Sequence, residues 1–370
     1  MVADPVIEIE DGRIAAVTVT KESWATPTHN FPGATLAPAF FDVHFHGAAG
    51  HDVMEATPEA LRAVGTLLAR HGTATYLATT VTASLDATLR AVSGLARQIA
   101  NPALLRNGRQ PVACPVGIHL EGPFLSHERR GAQPAEHLLA PDIAVFDRLC
   151  EAGEGHVRLI TLAPELPGAT ELAAHATARG VRVSMGHSNA TTEEVRAALG
   201  AGVVSATHTF NAMRPLDHRE PGVLGIALTE DRLYAELICD GVHVAPEMVK
   251  LWWRAKGEKR GILVTDAMSA TGMPDGEYQL GGFAVQVANG RAMVRNVLAG
   301  SVLTQDRALQ NFLQFAGAPL EMALRLLTSN PGQMTGMTAS LAPGSPANLV
   351  AVDASGRLLA SIVDGWLAEA

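Results

Sequence analysis

Cysteine is scarce in this sequence of 370 residues, which contains only Cys114, Cys150 and Cys239. The three cysteines lie far apart and are odd in number, so they form neither a disulfide framework nor a Cys-x-x-Cys motif. This usage predicts reduced thiols, as is typical of the cytoplasm, where we expect the protein to be located. The first residues, MVADPVIEIEDGR, lack the basic start and the apolar core of a signal peptide, which agrees with that location.

Long apolar runs and basic clusters are also missing. No segment approaches the ~18 uncharged apolar residues that a membrane-spanning helix needs. The formal net charge is −9, from 28 Lys and Arg against 37 Asp and Glu, and no basic patch suggests a nucleic-acid surface. We therefore expect neither a membrane nor a nucleic acid as partner. Because the protein as a whole is negatively charged, an anionic ligand has to be held by a few cationic side chains close to it.

Apolar, strand-like segments are abundant in this sequence. Hydrophobic residues account for 47% of the chain and charged residues for 18%, the composition of a protein with a large core. From Phe40 onward, apolar strand candidates alternate with amphipathic helical stretches. The eight strand candidates end at His46, Val81, Glu121, Ala163, His187, His208, Cys239 and Asp266. Eight strand–helix units with continuous apolar strands predict a (β/α)8 TIM-type barrel.

The two ends of the chain differ from this pattern. Residues 1–38 and 341–370 contain short β segments, which predict a small β-sandwich module formed by both termini. The barrel is assigned to residues 39–340. Within it, a Gly-rich stretch with an Asn289-Gly290 turn predicts a β-hairpin insert near residues 276–298.

Ligand-type side chains stand at the ends of several predicted strands. His44 and His46 lie two residues apart, so both point to the same side of the first strand, which in a barrel is the axis. Taken alone, this pair is equally well explained by two hydrogen-bonded core histidines. Four more strands end in such a residue: Glu121, His187, His208 and Asp266. Packing does not explain this convergence, because a buried carboxylate such as Glu121 is costly without a cation.

This set of side chains predicts a particular chemistry. Imidazole and carboxylate ligands without a thiolate suit a divalent ion such as Zn²⁺ or Fe²⁺. Such an ion lowers the pKa of bound water to about 7 and polarises a carbonyl group. Asp266 can then take the proton of the water and pass it to the leaving group. The sequence therefore predicts metal-assisted hydrolysis of an amide or a related bond.

Six segments between Phe40 and Met268 form a specific set. They are FFDVHFHG, GIHLEGPFLS, VSMGHSNAT, THTFNAMRPLDHREPG, DGVHV and LVTDAM, and NVLAGSVLT and SNPGQMTG follow. In content and order they resemble the amidohydrolase superfamily and, within it, the N-acetylglucosamine-6-phosphate deacetylase family. The resemblance implies removal of the N-acetyl group from an amino-sugar phosphate, with N-acetylglucosamine 6-phosphate giving glucosamine 6-phosphate and acetate.

The resemblance also implies two metal sites that share one carboxylate. The principal ion would be held by Glu121, His187 and His208. His44 and His46 match a pair that some family members have, where it allows a second ion bridged to the first by the glutamate.

Further roles follow from the same resemblance. Asp266 would be the catalytic acid and base. The implied substrate contacts are Ala132, Gln133, Asn211, Ala212, Arg219, His243, Leu298, Ala299 and Gly300. Arg219 would reach the phosphate from the neighbouring subunit of a homodimer. Gln133 stands where the family usually has a histidine, and glutamine can donate a hydrogen bond but cannot become cationic.

Two other functions fit parts of the pattern. An amidohydrolase acting on a cyclic amide or another N-acyl substrate often bridges two metals with a carboxylated lysine on strand four. Here that strand reads VRLITLAPE and has no lysine, while Glu121 supplies the carboxylate, which favours the deacetylase. A non-catalytic sugar-phosphate sensor on the same fold would have lost a ligand or Asp266, and all of these residues are present.

Overall fold

The computed structural model describes residues 4–19, 28–106 and 110–368. Its centre is a parallel sheet of eight strands that lie side by side in chain order. We number them as barrel strands one to eight. They are Phe40–Phe45, Thr73–Thr80, Cys114–Glu121, Val157–Leu162, Arg182–Met185, Val203–Ala206, Tyr234–Ile238 and Gly261–Val264. The predicted barrel is confirmed, and each strand ends within two residues of its predicted end.

Hydrogen bonds just beyond barrel strands one and eight close the ring. The backbone N–H of Asp266 donates to the carbonyl oxygen of His44 at 3.0 Å, and that of His46 donates to Ala267 at 2.8 Å. Since these bonds lie at the carboxyl ends of the strands, closure places His44, His46 and Asp266 at the same mouth of the barrel.

Helices surround the barrel and pack their apolar faces against its strands. The α-helices are Pro58–Arg70, Leu85–Ala100, Ile143–Ala152, Ala169–Ala178, Thr192–Gly200, Gly222–Thr229, Pro246–Arg260, Gln305–Ala316, Leu320–Arg325 and Ser329–Thr335. Short 3₁₀ helices span Val53–Glu55, Pro102–Leu104 and Ala135–His137. None of the helices within the described ranges is both long and apolar enough to cross a membrane.

Local capping sets where several of these helices begin. The Thr57 side chain accepts a hydrogen bond from the N–H of Ala60, and Thr191 and Glu194 cap each other reciprocally. Such side-chain caps satisfy backbone N–H groups in the first turn of a helix and so fix its first residue.

Both ends of the chain meet beside the barrel. An antiparallel sheet contains, in order, Trp366–Ala368, Leu358–Val363, Leu349–Val352 and Thr35–Pro38. A separate hairpin, Pro5–Glu10 with Arg13–Val19, contacts the segment that leads into this sheet, where the N–H of Ile14 donates to Ser345 O at 2.9 Å. Residues 1–3, 20–27 and 369–370 of the predicted module lie outside the described residues. The division of the chain at residues 38 and 341 stays a prediction.

The insert after barrel strand eight is larger than one hairpin. It is an antiparallel sheet of four strands, Gly276–Leu280, Phe283–Ala288, Arg291–Val294 and Val297–Leu298. The Asn289-Gly290 turn joins its middle strands, with φ values of 52° and 71°. Both are positive, as the predicted tight turn requires. Leu280 and Phe283 of the insert form one wall of the pocket described below.

Candidate active site

The carboxyl ends of the barrel strands surround a pocket of about 470 Å³. The metal-ligand candidates His46, Glu121, His187 and His208 line it together with Asp266, and His44 lies buried beneath it. Of the predicted substrate contacts, those lining the pocket are Ala132, Gln133, Asn211, Ala212, His243, Leu298, Ala299 and Gly300. Arg219 is exposed and does not line this pocket.

Glu121, His187 and His208 form one compact ligand group. Glu121 Oε1 lies 3.1 Å from Nε2 of each histidine, and the two nitrogens are 3.1 Å apart. Ligand atoms of a tetrahedral ion with bonds of ~2.1 Å are separated by about 3.4 Å. The group therefore has the size and the donor types for one divalent ion.

His44 and His46 form a second ligand group with the same glutamate. Their Nε2 atoms are 3.2 Å apart. Nε2 of His44 lies 3.4 Å from Glu121 Oε1, and Nε2 of His46 lies 3.6 Å from Glu121 Oε2. Glu121 can thus supply a ligand oxygen to both groups, which is what a carboxylate that bridges two ions has to do.

Two of the histidines have their ring orientation set by backbone carbonyl groups. Nδ1 of His46 donates to Thr79 O at 3.0 Å, and Nδ1 of His187 donates to Arg129 O at 3.1 Å. A carbonyl oxygen only accepts, so the proton is on Nδ1 and the lone pair of Nε2 faces the ligand group. Histidine ligands of metals are held in this way, so the residues present fit a metal site.

Asp266 lies between the second ligand group and the open pocket. Its Oδ1 is 3.0 Å from Nε2 of His46 and 3.5 Å from Nε2 of His44. The side chain is on the segment after barrel strand eight, where the ring closes. It can therefore reach both a bound substrate and the ligand groups.

Comparison with known proteins agrees with this arrangement. Residues 35–368 match the model of the amidohydrolase family. The chain belongs to the amidohydrolase family. The resemblance seen in the sequence is therefore confirmed.

Relatives of this amidohydrolase include enzymes that act on two different amino sugars. It is 38% identical over 348 residues to N-acetylglucosamine-6-phosphate deacetylase of Lysinibacillus sphaericus, covering 93% of this chain and 88% of the relative. It is also 38% identical to N-acetylgalactosamine-6-phosphate deacetylase of Escherichia coli O157:H7, covering 99% and 95% of the two chains. A mutant N-acetyl-D-glucosamine-6-phosphate deacetylase of Mycobacterium smegmatis, solved in complex with N-acetyl-D-glucosamine-6-phosphate, superposes with a TM-score of 0.88. The identity is 38%, and 98% of this chain and 94% of that chain are covered.

Three site residues of the amidohydrolase leave their strands in an unusual backbone conformation. The φ values are 47° for His187, 28° for His208 and 51° for Asp266. Such left-handed geometry costs non-glycine residues about 1–3 kcal/mol each and is concentrated at functional sites. The surrounding barrel holds these residues so that their side chains turn toward the pocket.

The electrostatics of the ligand groups favour positive charge between the carboxylates. Burial alone would raise the pKa of Glu121, but the charge of His44 and the hydrogen bond from His187 hold it well below its usual value. Burial alone would lower the pKa of His44, but the charges of Asp266 and Glu121 hold it well above its usual value. Burial would also raise the pKa of Asp266, and the charge of His44 outweighs it and lowers the pKa. The carboxylates therefore attract a cation in this cluster.

Gln133 has contacts that the sequence did not predict. Its Nε2 donates to Glu121 Oε2 at 2.6 Å, and its Oε1 accepts from the N–H of Thr82 at 2.9 Å. The residue is 6% exposed. It thus holds the shared carboxylate in place, and its contact with a substrate stays a prediction.

Two cationic candidates for binding a phosphate lie in different positions. His243 lines the pocket, and its Nδ1 lies 2.7 Å from Asp240 Oδ2. Burial would lower the pKa of His243, but the hydrogen bond and charge of Asp240 outweigh it and raise the pKa. Arg219 lies on the loop after barrel strand six, where its backbone N–H donates to Asp217 Oδ1 at 2.8 Å. A third cation, Arg214 of the same loop, donates to the backbone oxygen of Asn189 at 3.2 Å, so its side chain connects two loops of the barrel.

Glu236 is a site residue that sequence reasoning missed. It lies in barrel strand seven and is fully buried beneath the ligand groups. Its Oε2 is 3.2 Å from Nδ1 of His44 and accepts from the backbone N–H of His208 at 3.2 Å. The sequence gives one signal for this contact with His44, a glutamate inside the otherwise apolar strand YAELI. That glutamate belongs to none of the motifs described above.

Proposed function

We propose that this protein is a metal-dependent deacetylase that converts N-acetylglucosamine 6-phosphate to glucosamine 6-phosphate and acetate. The observation that carries the proposal is the pair of ligand groups sharing Glu121 next to Asp266 in one pocket. The names of the two relatives above and the substrate bound to the Mycobacterium smegmatis enzyme support an amino-sugar phosphate as substrate.

Five side chains would hold the metal. Glu121, His187 and His208 would bind the principal ion, and His44 and His46 would bind a second ion together with the same glutamate. Imidazole and carboxylate donors suit Zn²⁺ or Fe²⁺. A bound divalent ion supplies polarisation of the acyl carbonyl and a more acidic water.

Asp266 and His243 would have different roles in the reaction. Asp266 would accept the proton of the attacking water through a carboxylate oxygen and deliver it to the amine nitrogen as the amide bond breaks. His243 would attract the phosphate from inside the pocket, since the pKa of its imidazole is raised by Asp240. In a protein of net charge −9, such a local cation is needed to hold a dianion.

We also infer a homodimer in which Arg219 reaches the phosphate in the neighbouring subunit. The support is its exposed position away from the pocket of its own chain. A guanidinium can bind a phosphate through two parallel hydrogen bonds, so a single exposed arginine is sufficient for such a contact. The cytoplasmic location stays a prediction.

N-acetylgalactosamine 6-phosphate is the second candidate substrate. A relative with the same identity of 38% carries that name, and the two sugars differ only in the configuration of one hydroxyl group. The pocket residues named so far would contact the acyl and phosphate groups, which the two sugars have in common.

Acetate release from a panel of sugars tests the proposal. The panel contains N-acetylglucosamine and N-acetylgalactosamine, each with and without 6-phosphate, and the protein is quantified for metal beforehand. We expect release from N-acetylglucosamine 6-phosphate that a chelator abolishes and added metal restores. Preference for the galactosamine compound would select the second candidate. Equal use of phosphorylated and free sugars would reject the phosphate assignment, and no acetate from any of them would reject the deacetylase.

A further inference from the structure

The support of His44 differs from that of the two other ligand histidines described above. His46 and His187 donate from Nδ1 to backbone carbonyl groups, which no substitution removes. Nδ1 of His44 faces the side chain of Glu236 at 3.2 Å. The orientation and the tautomer of His44 therefore depend on which residue occupies position 236.

The tautomer of His44 decides whether the second ligand group can hold an ion. Nε2 of His44 lies 3.4 Å from Glu121 Oε1 and 3.5 Å from Asp266 Oδ1. An ion is bound by the neutral imidazole, which has given up the second proton of the charged ring. With the remaining proton on Nδ1, Nε2 presents a lone pair to this space. With the proton on Nε2, an N–H group would point into the same space, and no ion could be bound there.

We propose that Glu236 is the positioning residue that makes His44 and His46 a metal site, by keeping the proton of His44 on Nδ1. The inference rests on the proposed metal cluster and is independent of the substrate. A carboxylate only accepts when it is ionised, so it selects this tautomer, and hydrogen bonds to charged groups are the stronger ones. Outer partners of this kind tune the affinity of a ligand histidine for its metal.

The same carboxylate oxygen also contacts the principal site, although less directly. Glu236 Oε2 accepts the backbone N–H of His208, whereas the imidazole of His208 meets Glu121 through Nε2. Substitution of Glu236 therefore removes the partner of a ligand ring in the second group, but only a backbone contact in the first. We expect the second site to weaken more than the first.

Metal titration of the full-length chain tests this inference. Metal-free protein is titrated with Zn²⁺ in competition with a chromophoric chelator. The unmodified protein should bind two equivalents and His44→Gln one. In Glu236→Gln the second equivalent should bind roughly 10- to 100-fold more weakly, while the first changes by less than about threefold. Glu236→Asp, which keeps the charge but shortens the side chain, should also weaken the second equivalent.

Two controls separate positioning from a general effect on the barrel. Asp42 is another fully buried carboxylate. It accepts from the hydroxyl of Thr265 at 2.6 Å and from the backbone N–H of His44 at 3.3 Å, but from no imidazole. Because Asp42 contacts only the backbone of His44, Asp42→Asn should weaken the second equivalent by less than about threefold. Adding Glu236→Gln to His44→Gln should change the remaining equivalent by less than about threefold, because Glu236 contacts that site only through the backbone N–H of His208.

Several results would overturn the inference. These are a second equivalent unaffected in both Glu236 variants, equal weakening of both equivalents, or equal weakening in Asp42→Asn. Failure of both Glu236 variants to fold without metal would also overturn it, since the residue would then support the barrel itself. A single equivalent in the unmodified protein would reject this inference but leave a one-metal deacetylase possible, whereas no bound metal would reject the proposed function.

Discussion

Gln133 donates a hydrogen bond to Glu121 across 2.6 Å, so a residue of the pocket wall also holds the carboxylate that both ligand groups share. The other end of the same amide accepts from Thr82, which leaves little freedom for the side chain to turn. A histidine at this position would offer one donor and one acceptor on opposite sides of a rigid ring, in place of the adjacent N–H and oxygen of the amide. The departure from the family pattern at Gln133 therefore changes how the carboxylate is supported.

Gln133→Leu should lower both stability and metal affinity. The change leaves the buried N–H of Thr82 unpaired, which costs about 1–3 kcal/mol, and it releases one oxygen of Glu121. We expect this loss in the free energy of unfolding of the metal-free protein, together with a roughly tenfold weaker affinity for metal. Gln305→Leu is the control, because buried Gln305 donates to Leu263 O outside both ligand groups. Equal metal affinities in the two variants would contradict the role of Gln133.

Asp266→Asn should remove turnover while the fold is kept. Asparagine has the same shape but cannot take the proton of the attacking water, so kcat should fall by a factor of ~10² or more. Metal content and the melting temperature are measured alongside to show that the loss is chemical. Asp275→Asn, an exposed change in the segment that follows, should keep full activity. Near-normal turnover of Asp266→Asn would remove this residue from the mechanism.

Arg219→Ala should raise KM for the phosphorylated sugar and change little for the free sugar, because only the former presents a dianion. Arg196→Ala removes an exposed charge from the helix Thr192–Gly200 and should leave both KM values unchanged. Mixing Arg219→Ala with Asp266→Asn tests the origin of the arginine. A heterodimer then has one site with both lesions and one with neither, so some activity should return. Verified heterodimers without activity would show that Arg219 serves its own subunit.

The affinity for a phosphorylated substrate should fall with rising pH through the titration of His243. Its pKa is raised above the ordinary value near 6.5, so the imidazole is cationic below the raised pKa and loses its charge as the pH rises through it. KM should therefore increase as the pH rises through the raised pKa of His243. In Asp240→Asn the partner that raises the pKa is neutral, so the increase should begin at lower pH.

His243→Asn is the control for that profile. This variant retains the titration of the phosphate itself but has no imidazole, so the rise in KM with increasing pH should be absent. If Asp240→Asn and the unmodified enzyme show the same profile, then His243 is not the group whose charge binds the substrate.

Glu121→Gln should damage both metal sites at once. The amide keeps the size of the side chain but loses the negative charge that the two ligand groups share. Elemental analysis should show that both equivalents are reduced, whereas His44→Gln should lose only one. Full metal occupancy in Glu121→Gln would contradict a shared carboxylate.

The barrel and most of the candidate site could be predicted because their signals are local. Glu121 ends one apolar strand and His187 lies two residues beyond another, so the strand pattern itself places them at one mouth of the barrel. The closing bonds between His44 and Asp266 follow from the fold once eight strands are counted. For these residues, the place at the end of a predicted strand was enough to predict their location in the barrel.

Other features depend on which side chains meet across the barrel. Glu236 and His44 are 192 residues apart, and no spacing in the sequence relates them. The contact of Gln133 with Glu121 likewise depends on how a loop folds back over the strand end. The insert contains four strands where the sequence predicted one hairpin. The further strand pairs are joined by turns at Gly281-Gly282 and Arg295-Asn296, all with positive φ, and Arg295-Asn296 lacks the glycine that usually marks such a turn.

Closure of the ring between barrel strands one and eight has a consequence for the order in which the enzyme matures during synthesis. Glu121, His187 and His208 have all been made once barrel strand six has left the ribosome. Asp266, by contrast, lies in the segment that completes the ring. Pairings between such distant parts of a chain form late, since their loop must close first. A nascent chain can thus contain the proposed donors of the principal ion before it possesses Asp266, the carboxylate proposed for catalysis.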